Sequence, residues 1–241
     1  MLFVWDVHIN AKQSAKILQE LRQFVDSFPA EKNIVFWGDY MYMFSYDRQA
    51  LADLFDFFLL LWDEGKNVYV LAGNHDWLNQ HFIYHEWKKI ADILNARTSE
   101  NKIHFVTEPG TYLIEWKEFF FLPFNKEFLH TQKETFLEKY ATSIPWSLAE
   151  APSLFSESIR LLASKNSNEQ LSWALNMTLF EIYFSDNPTA KKPILVHHYY
   201  TANTSFPWQF AKFDYKDISL HPLRMEVVPT VISGHLHKAF T

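Results

Sequence analysis

The chain contains no cysteine among its 241 residues, which excludes disulfides, thiolate metal sites and cysteine nucleophiles together. Any metal must then be held by carboxylate, imidazole or amide groups, a donor set suited to manganese, iron or zinc rather than copper(I) or iron–sulfur clusters. Glycine is scarce, with 5 in all, so each is expected where backbone comes close to something or takes a positive φ. Gly38, Gly73 and Gly234 each stand directly behind an apolar run, and Gly65 follows a helix-like segment where it suits a C-cap. An excess of positive charge is also missing. The net charge of −6 argues against a broad electrostatic grip on nucleic acid, since that affinity scales with the phosphates neutralised by Lys and Arg. Bound divalent cations would reverse the sign locally. The basic pairs Lys88-Lys89 and Lys191-Lys192 read as solvated surface. No apolar run approaches membrane-spanning length, and no basic segment with a cleavage site precedes the first apolar run at Leu2. The expectation is a cytoplasmic protein with no membrane association.

What is present is the composition of a soluble globular protein, 48% hydrophobic and 21% charged, of a length that fits one domain over 1–241. The 23 Phe and 9 Trp read as core rather than as a binding platform. Five short stretches carry metal-binding residue types directly after apolar runs: Asp6-Val7-His8, Gly38-Asp39, Gly73-Asn74-His75-Asp76, His197-His198 and Gly234-His235-Leu236-His237. The runs before them, Leu2 to Trp5, Ile34 to Trp37, Val68 to Ala72, Ile194 to Val196 and Val231 to Ser233, have the composition of buried strands. Ligands bind beyond the carboxyl ends of strands in open α/β sheets, so the five stretches are expected to converge on one metal site.

Between these strands the apolar spacing is helical. Ala15, Leu18, Leu21, Val25 and Phe28 recur ahead of Pro29; Arg48 to Glu64 carries Leu51, Leu54, Phe55, Phe58 and Leu61; Asn79 to Leu94 carries Ile83, Trp87, Ile90 and Leu94. Shorter strand-like runs follow at Ile103 to Val106, Thr111 to Trp116 and Phe119 to Phe124. The stretch 125–193 is again helix-like, through Ser153 to Lys165 and Asn168 to Phe184. It is either an extra packing layer, or a lid or dimer surface.

The order and content of the five stretches resemble the calcineurin-like metallophosphoesterase superfamily, whose pattern is D-x-H, G-D, G-N-H-D/E, H and G-H-x-H. The resemblance runs from Asp6 to His237 and implies a four-layer αββα sandwich of two mixed sheets flanked by helices, with 125–193 as a helical insert. It implies two divalent metal ions, Mn²⁺ ahead of Fe or Zn. Asp6, His8, Asp39 and His237 would hold the first, and Asp39, Asn74, His197 and His235 the second, with Asp39 bridging. It implies hydrolysis of a phosphoester by a water that the two metals activate. His75 would be the general acid for the leaving group, with Asp76 holding its imidazole in the right tautomer. His198 is expected to line the pocket or pack nearby. His81 and His85, followed by Glu86, have ligand spacing for one helix face, but an exposed face is the preferred interpretation. His104, His130 and His221 carry no pattern.

Two positions depart from the family pattern, Asn10 in place of a glycine and Tyr42 in place of the second aspartate of G-D-x-x-D. The layout of Val68 to Asp76, Val106 to Gly110, Phe121 to Phe124 and Gly234 to Lys238 is most similar to SbcD-like DNA-repair exonucleases. This leans the expectation to a phosphodiesterase, with nucleic acid among its substrates. The alternatives are a phosphomonoesterase or nucleotide pyrophosphatase acting on small molecules, and a non-catalytic metal-binding scaffold. Relatives continue through further strands after the last motif, whereas this sequence ends at Thr241. The expectation is a truncated reading frame, a compact variant or the front half of a protein whose remainder lies elsewhere, with an exposed C-terminal edge that a second copy or a partner chain would complete.

Overall fold

A computed structural model describes residues 1–5, 7–41, 47–78, 81–125, 131, 194–201, 219–220 and 230–233. The chain opens with β1 (Leu2–Val4), α1 (Ser14–Asp26), β2 (Asn33–Trp37), α2 (Arg48–Asp63) and β3 (Asn67–Leu71). A two-stranded hairpin, β4 (Trp77–Leu78) and β5 (His81–Phe82), precedes α3 (His85–Asn95) and β6 (Ile103–Val106). The rest comprises β7 (Gly110–Ile114), β8 (Lys117–Leu122), β9 (Ile194–His197), β10 (Tyr200–Thr201), β11 (Ser219–Leu220) and β12 (Val231–Ser233). Strands β1-β2-β3-β6 form one four-stranded sheet and β12-β9-β8-β7 a second. All described pairings of the first sheet are parallel. The second is mixed, with β7 antiparallel to β8 and the other pairs parallel.

Side-chain alternation assigns the two faces of the first sheet. Ile34 and Phe36 of β2, with Val68 and Val70 of β3, pack against Val25 of α1, Leu54 and Phe58 of α2 and Ala91 of α3. The intervening Val35, Trp37, Tyr69 and Leu71 meet Ile114, Phe119, Phe121 and Val196 of the second sheet. Burial on both faces is why these strands read as unbroken apolar runs. The protein is thus an α/β sandwich of two packed sheets, with three helices over the outer face of the first. The helices expected in 125–193 lie outside the described residues. Among the described residues, no helix is long and apolar enough to cross a membrane.

Local chemistry sets the helix boundaries. Asp47 caps α2 by accepting from the Gln49 and Ala50 N–H groups with one carboxylate oxygen, while its other oxygen takes the Ala11 N–H, 2.9 Å away in the loop after β1. Gly65 ends this segment at φ +80. Lys66, 9% exposed, donates its ammonium to the Pro29 and Glu31 carbonyls and fixes the turn entering β2. The expected helix over Asn79 to Leu94 begins only at His85, because the Ile83 N–H is taken by the Asp76 carbonyl at 3.0 Å and the chain before it pairs as β4 and β5. His81 therefore sits on a strand while His85 opens the helix, so the two do not share a helix face. Phe28 lies beyond the end of α1 and Ile90 on the open side of α3, each 45% exposed.

Candidate metal centre

The loops that leave β1, β2 and β3 lie side by side at the carboxyl ends of the first sheet. The His8 N–H donates to the Asp39 carbonyl at 2.9 Å and the Ile9 N–H to the Tyr40 carbonyl at 2.6 Å, which carries the parallel pairing past β2 to Met41. His8 and Asp39 both adopt the left-handed region, at φ 45 and 52, a strain of about 1–3 kcal/mol that tends to gather at functional sites. A Cβ at Gly38, itself at φ +82, would lie 2.6 Å from the Gly73 Cα and 2.8 Å from His198 Nδ1. A Cβ at Gly73 would run into the backbone nitrogen and Oδ1 of Asp39. These two motif glycines allow three motifs to touch.

Asp39 is the hub and is fully buried. Its Oδ1 accepts the His75 N–H at 2.9 Å. Its Oδ2 lies 3.1 Å from His198 Nε2 and 3.9 Å from His75 Nε2. His198 Nε2 is also 3.2 Å from Asn74 Oδ1. The other nitrogen of His198 stands 2.9 Å from the Trp37 carbonyl. A carbonyl can only accept, so Nδ1 carries a proton, while Nε2 faces the Asp39 carboxylate and the Asn74 amide oxygen. Carboxylate, amide oxygen and imidazole are the donor types that hold a divalent cation. His8 is held in the same way: its Nδ1 donates to the Met41 carbonyl at 3.2 Å, a backbone contact of the kind that orients metal-binding imidazoles.

His197 is arranged the other way round. Its Nδ1 accepts the Tyr199 N–H at 3.3 Å, and its carbonyl accepts the Trp37 indole N–H at 3.0 Å. The proton of a neutral His197 therefore sits on Nε2 and makes that nitrogen a donor. This differs from the expectation for the pair, in which His197 took the ligand position and His198 packed nearby. The reason is strand parity. Ile194 and Val196 face the first sheet, so His198 shares their face while His197 points to the other.

Asp76 also differs from its expected role as the partner of the His75 imidazole. Fully buried, it accepts the Gly73 N–H at 2.7 Å and the Asp39 N–H at 2.9 Å on one oxygen, and the Tyr40 N–H at 2.8 Å on the other. Burial, with the Asp39 charge added, pushes its pKa up to about 7 against the pull of those hydrogen bonds. His75 keeps its side chain at 18% exposure and meets the His8 ring edge-on at 5.4 Å. Among the described residues, no three His, Asp or Glu side chains surround one metal. The amide oxygen of Asn74 supplies the third donor beside Asp39 and His198. Asp6, His235 and His237 lie outside the described residues.

The calcineurin-like phosphoesterase family matches residues 2–239, nearly the whole chain. The chain belongs to that family. No curated protein matches it. As a calcineurin-like phosphoesterase, the protein is a metal-dependent hydrolase of phosphoesters that works through a binuclear divalent-metal centre. The described donors fit such a centre: carboxylate and amide oxygens and imidazole nitrogens, with the Nδ1 atoms of His8 and His198 each held by a backbone carbonyl.

Proposed function

We propose that this calcineurin-like phosphoesterase is a phosphodiesterase, with nucleic-acid ends within its substrate class and Mn²⁺ as its preferred metal. The observation that carries metal dependence is the convergence of Asp39 Oδ2, Asn74 Oδ1 and His198 Nε2 within 3.1–3.2 Å. The lean to diesters rests on the SbcD-like order of the linking stretches. In this assignment Asp6, His8, Asp39 and His237 would hold one cation. Asp39, Asn74, His198 and His235 would hold the other, with His198 in the place first expected of His197. The two cations, when bound, would supply Lewis-acid activation of a water and charge stabilisation on the phosphoryl oxygens.

The chain supplies the rest. Asp39, fully buried, would be the carboxylate shared between the two cations and would lower their mutual repulsion. The His75 N–H on Asp39 Oδ1 fixes the turn, and the partly exposed His75 imidazole is placed to protonate the leaving alkoxide. The working location is the cytoplasm.

Hydrolysis of bis-p-nitrophenyl phosphate by purified, folded protein tests the proposal, with Mn²⁺ added and with metal chelated. Metal-dependent turnover is expected. A competing small-molecule monoesterase draws support from the net charge of −6 and predicts faster turnover of p-nitrophenyl phosphate. Mn²⁺ binding without turnover of either ester would identify a scaffold.

A further inference from the structure

We infer that Asp76 is a positioning residue for Asp39, a role that rests on the two-metal assignment above. Its carboxylate ties the Gly38-Asp39 turn to the Gly73-Asn74 turn and so sets the direction in which the Asp39 carboxylate meets the metals. Asp39 is a non-glycine residue at φ 52, a conformation that persists only where the surroundings over-determine it. Two sets of contacts do so. Asp76 takes the N–H of Asp39, the N–H of Tyr40 and the N–H of Gly73, so both flanks of the Asp39 peptide are anchored to one rigid group. The bare Cα of Gly73 lets the second turn press against the backbone and Oδ1 of Asp39. The peptide after Gly73 then returns the His75 N–H to Asp39 Oδ1 at 2.9 Å. The ring is closed: Asp76 carboxylate, Asp39 backbone, Asp39 carboxylate, His75 backbone and back to Asp76 through one peptide.

A carboxylate is required because three N–H groups converge on its two oxygens. The isosteric Asp76→Asn has one acceptor oxygen and turns an NH₂ donor toward at least one backbone N–H, so the ring opens with little change in volume. The role acts through metal geometry rather than through the acid step, and this separates it from a partnership with the His75 imidazole.

Calorimetric titration of metal-free protein with Mn²⁺ tests the inference. Asp76→Asn is expected to weaken Mn²⁺ binding by roughly 10- to 100-fold, the range typical of groups that orient metal ligands, so that its loss of turnover is greatest at limiting Mn²⁺ and narrows as Mn²⁺ is raised. Lys66→Met, which unsettles a turn far from the site, serves as the stability control and is expected to leave Mn²⁺ affinity unchanged. Wild-type affinity in Asp76→Asn with a shifted kcat–pH profile would overturn the inference and return Asp76 to the His75 imidazole. Absence of Mn²⁺ binding by the wild type would instead remove the two-metal assignment itself. If Asp76→Asn does not fold, amide exchange in the metal-free wild type decides. Protection of the Asp39, Tyr40 and Gly73 amides equal to that of β3 supports the inference, and exchange at loop rates overturns it.

Discussion

At the scale of single residues, the centre depends on which ring nitrogen carries a proton. The carbonyls of Trp37 and Met41 set that for His198 and His8, and the Tyr199 N–H sets it oppositely for His197. His198→Ala is therefore expected to weaken Mn²⁺ binding at least about tenfold, while His197→Ala keeps it. Equilibrium dialysis of the two variants checks this, and the reverse order would restore His197 as ligand. His75→Ala is expected to retain both metals and to lose roughly 10²–10⁴-fold in turnover, the usual contribution of a positioned acid. Unchanged kcat in that variant would remove His75 from the chemistry.

Elements bring these residues together, and their ends matter more than their middles. Asp47 holds the first turn of α2 and, through the Ala11 N–H, the loop that leaves β1 toward His8. Asp47→Ala is expected to cost about 0.5–2 kcal/mol for the cap, read as a lower midpoint in thermal unfolding. A loss outside that range would show that the Ala11 contact, not the cap, dominates. Lys66→Met removes the donor that ties the Pro29 and Glu31 carbonyls together; water can reach these carbonyls, so each lost hydrogen bond costs about 0.5–1.5 kcal/mol. Its effect belongs in denaturant unfolding rather than in metal affinity.

Across the whole molecule, β6, the last strand of the first sheet among the described residues, carries a pH-sensitive group remote from Asp39. His104 on β6 stacks on Tyr69 with ring centroids 4.7 Å apart and an interplanar angle of 11°. Burial, then Lys102, lowers its pKa from 6.5 to about 4. Between these values the unfolded chain takes up a proton that the folded chain does not, so stability falls as pH drops from 6.5 toward 4 and is level above 6.5. His104→Phe keeps a flat ring on Tyr69 and is expected to flatten that slope. The measurement is the difference in unfolding free energy between the two proteins, so that Asp76, titrating in an overlapping window, cancels. Parallel slopes would show that His104 contributes nothing.

The sequence by itself determined the family, the alternation of strand and helix and, among the described residues, the placement of the motifs at Gly38, Gly73 and His197 at strand ends. Those features are local: apolar runs, caps and motif spacing are written in neighbouring residues. The tertiary structure alone decided three matters. Ile194-Leu195-Val196 is apolar throughout, so no periodicity tells which face of β9 meets the first sheet, and only the packed sheets show that His198, not His197, lies beside Asp39 and Asn74. Asp76 follows His75 in the chain, yet its carboxylate is taken by three backbone N–H groups drawn from two different turns. The apolar spacing of Ile83, Trp87 and Leu94 suited a helix from Asn79, but the Asp76 carbonyl claimed the Ile83 N–H for a hairpin. In each case the deciding partner lies far along the chain or in the backbone, where residue identity carries no record of it.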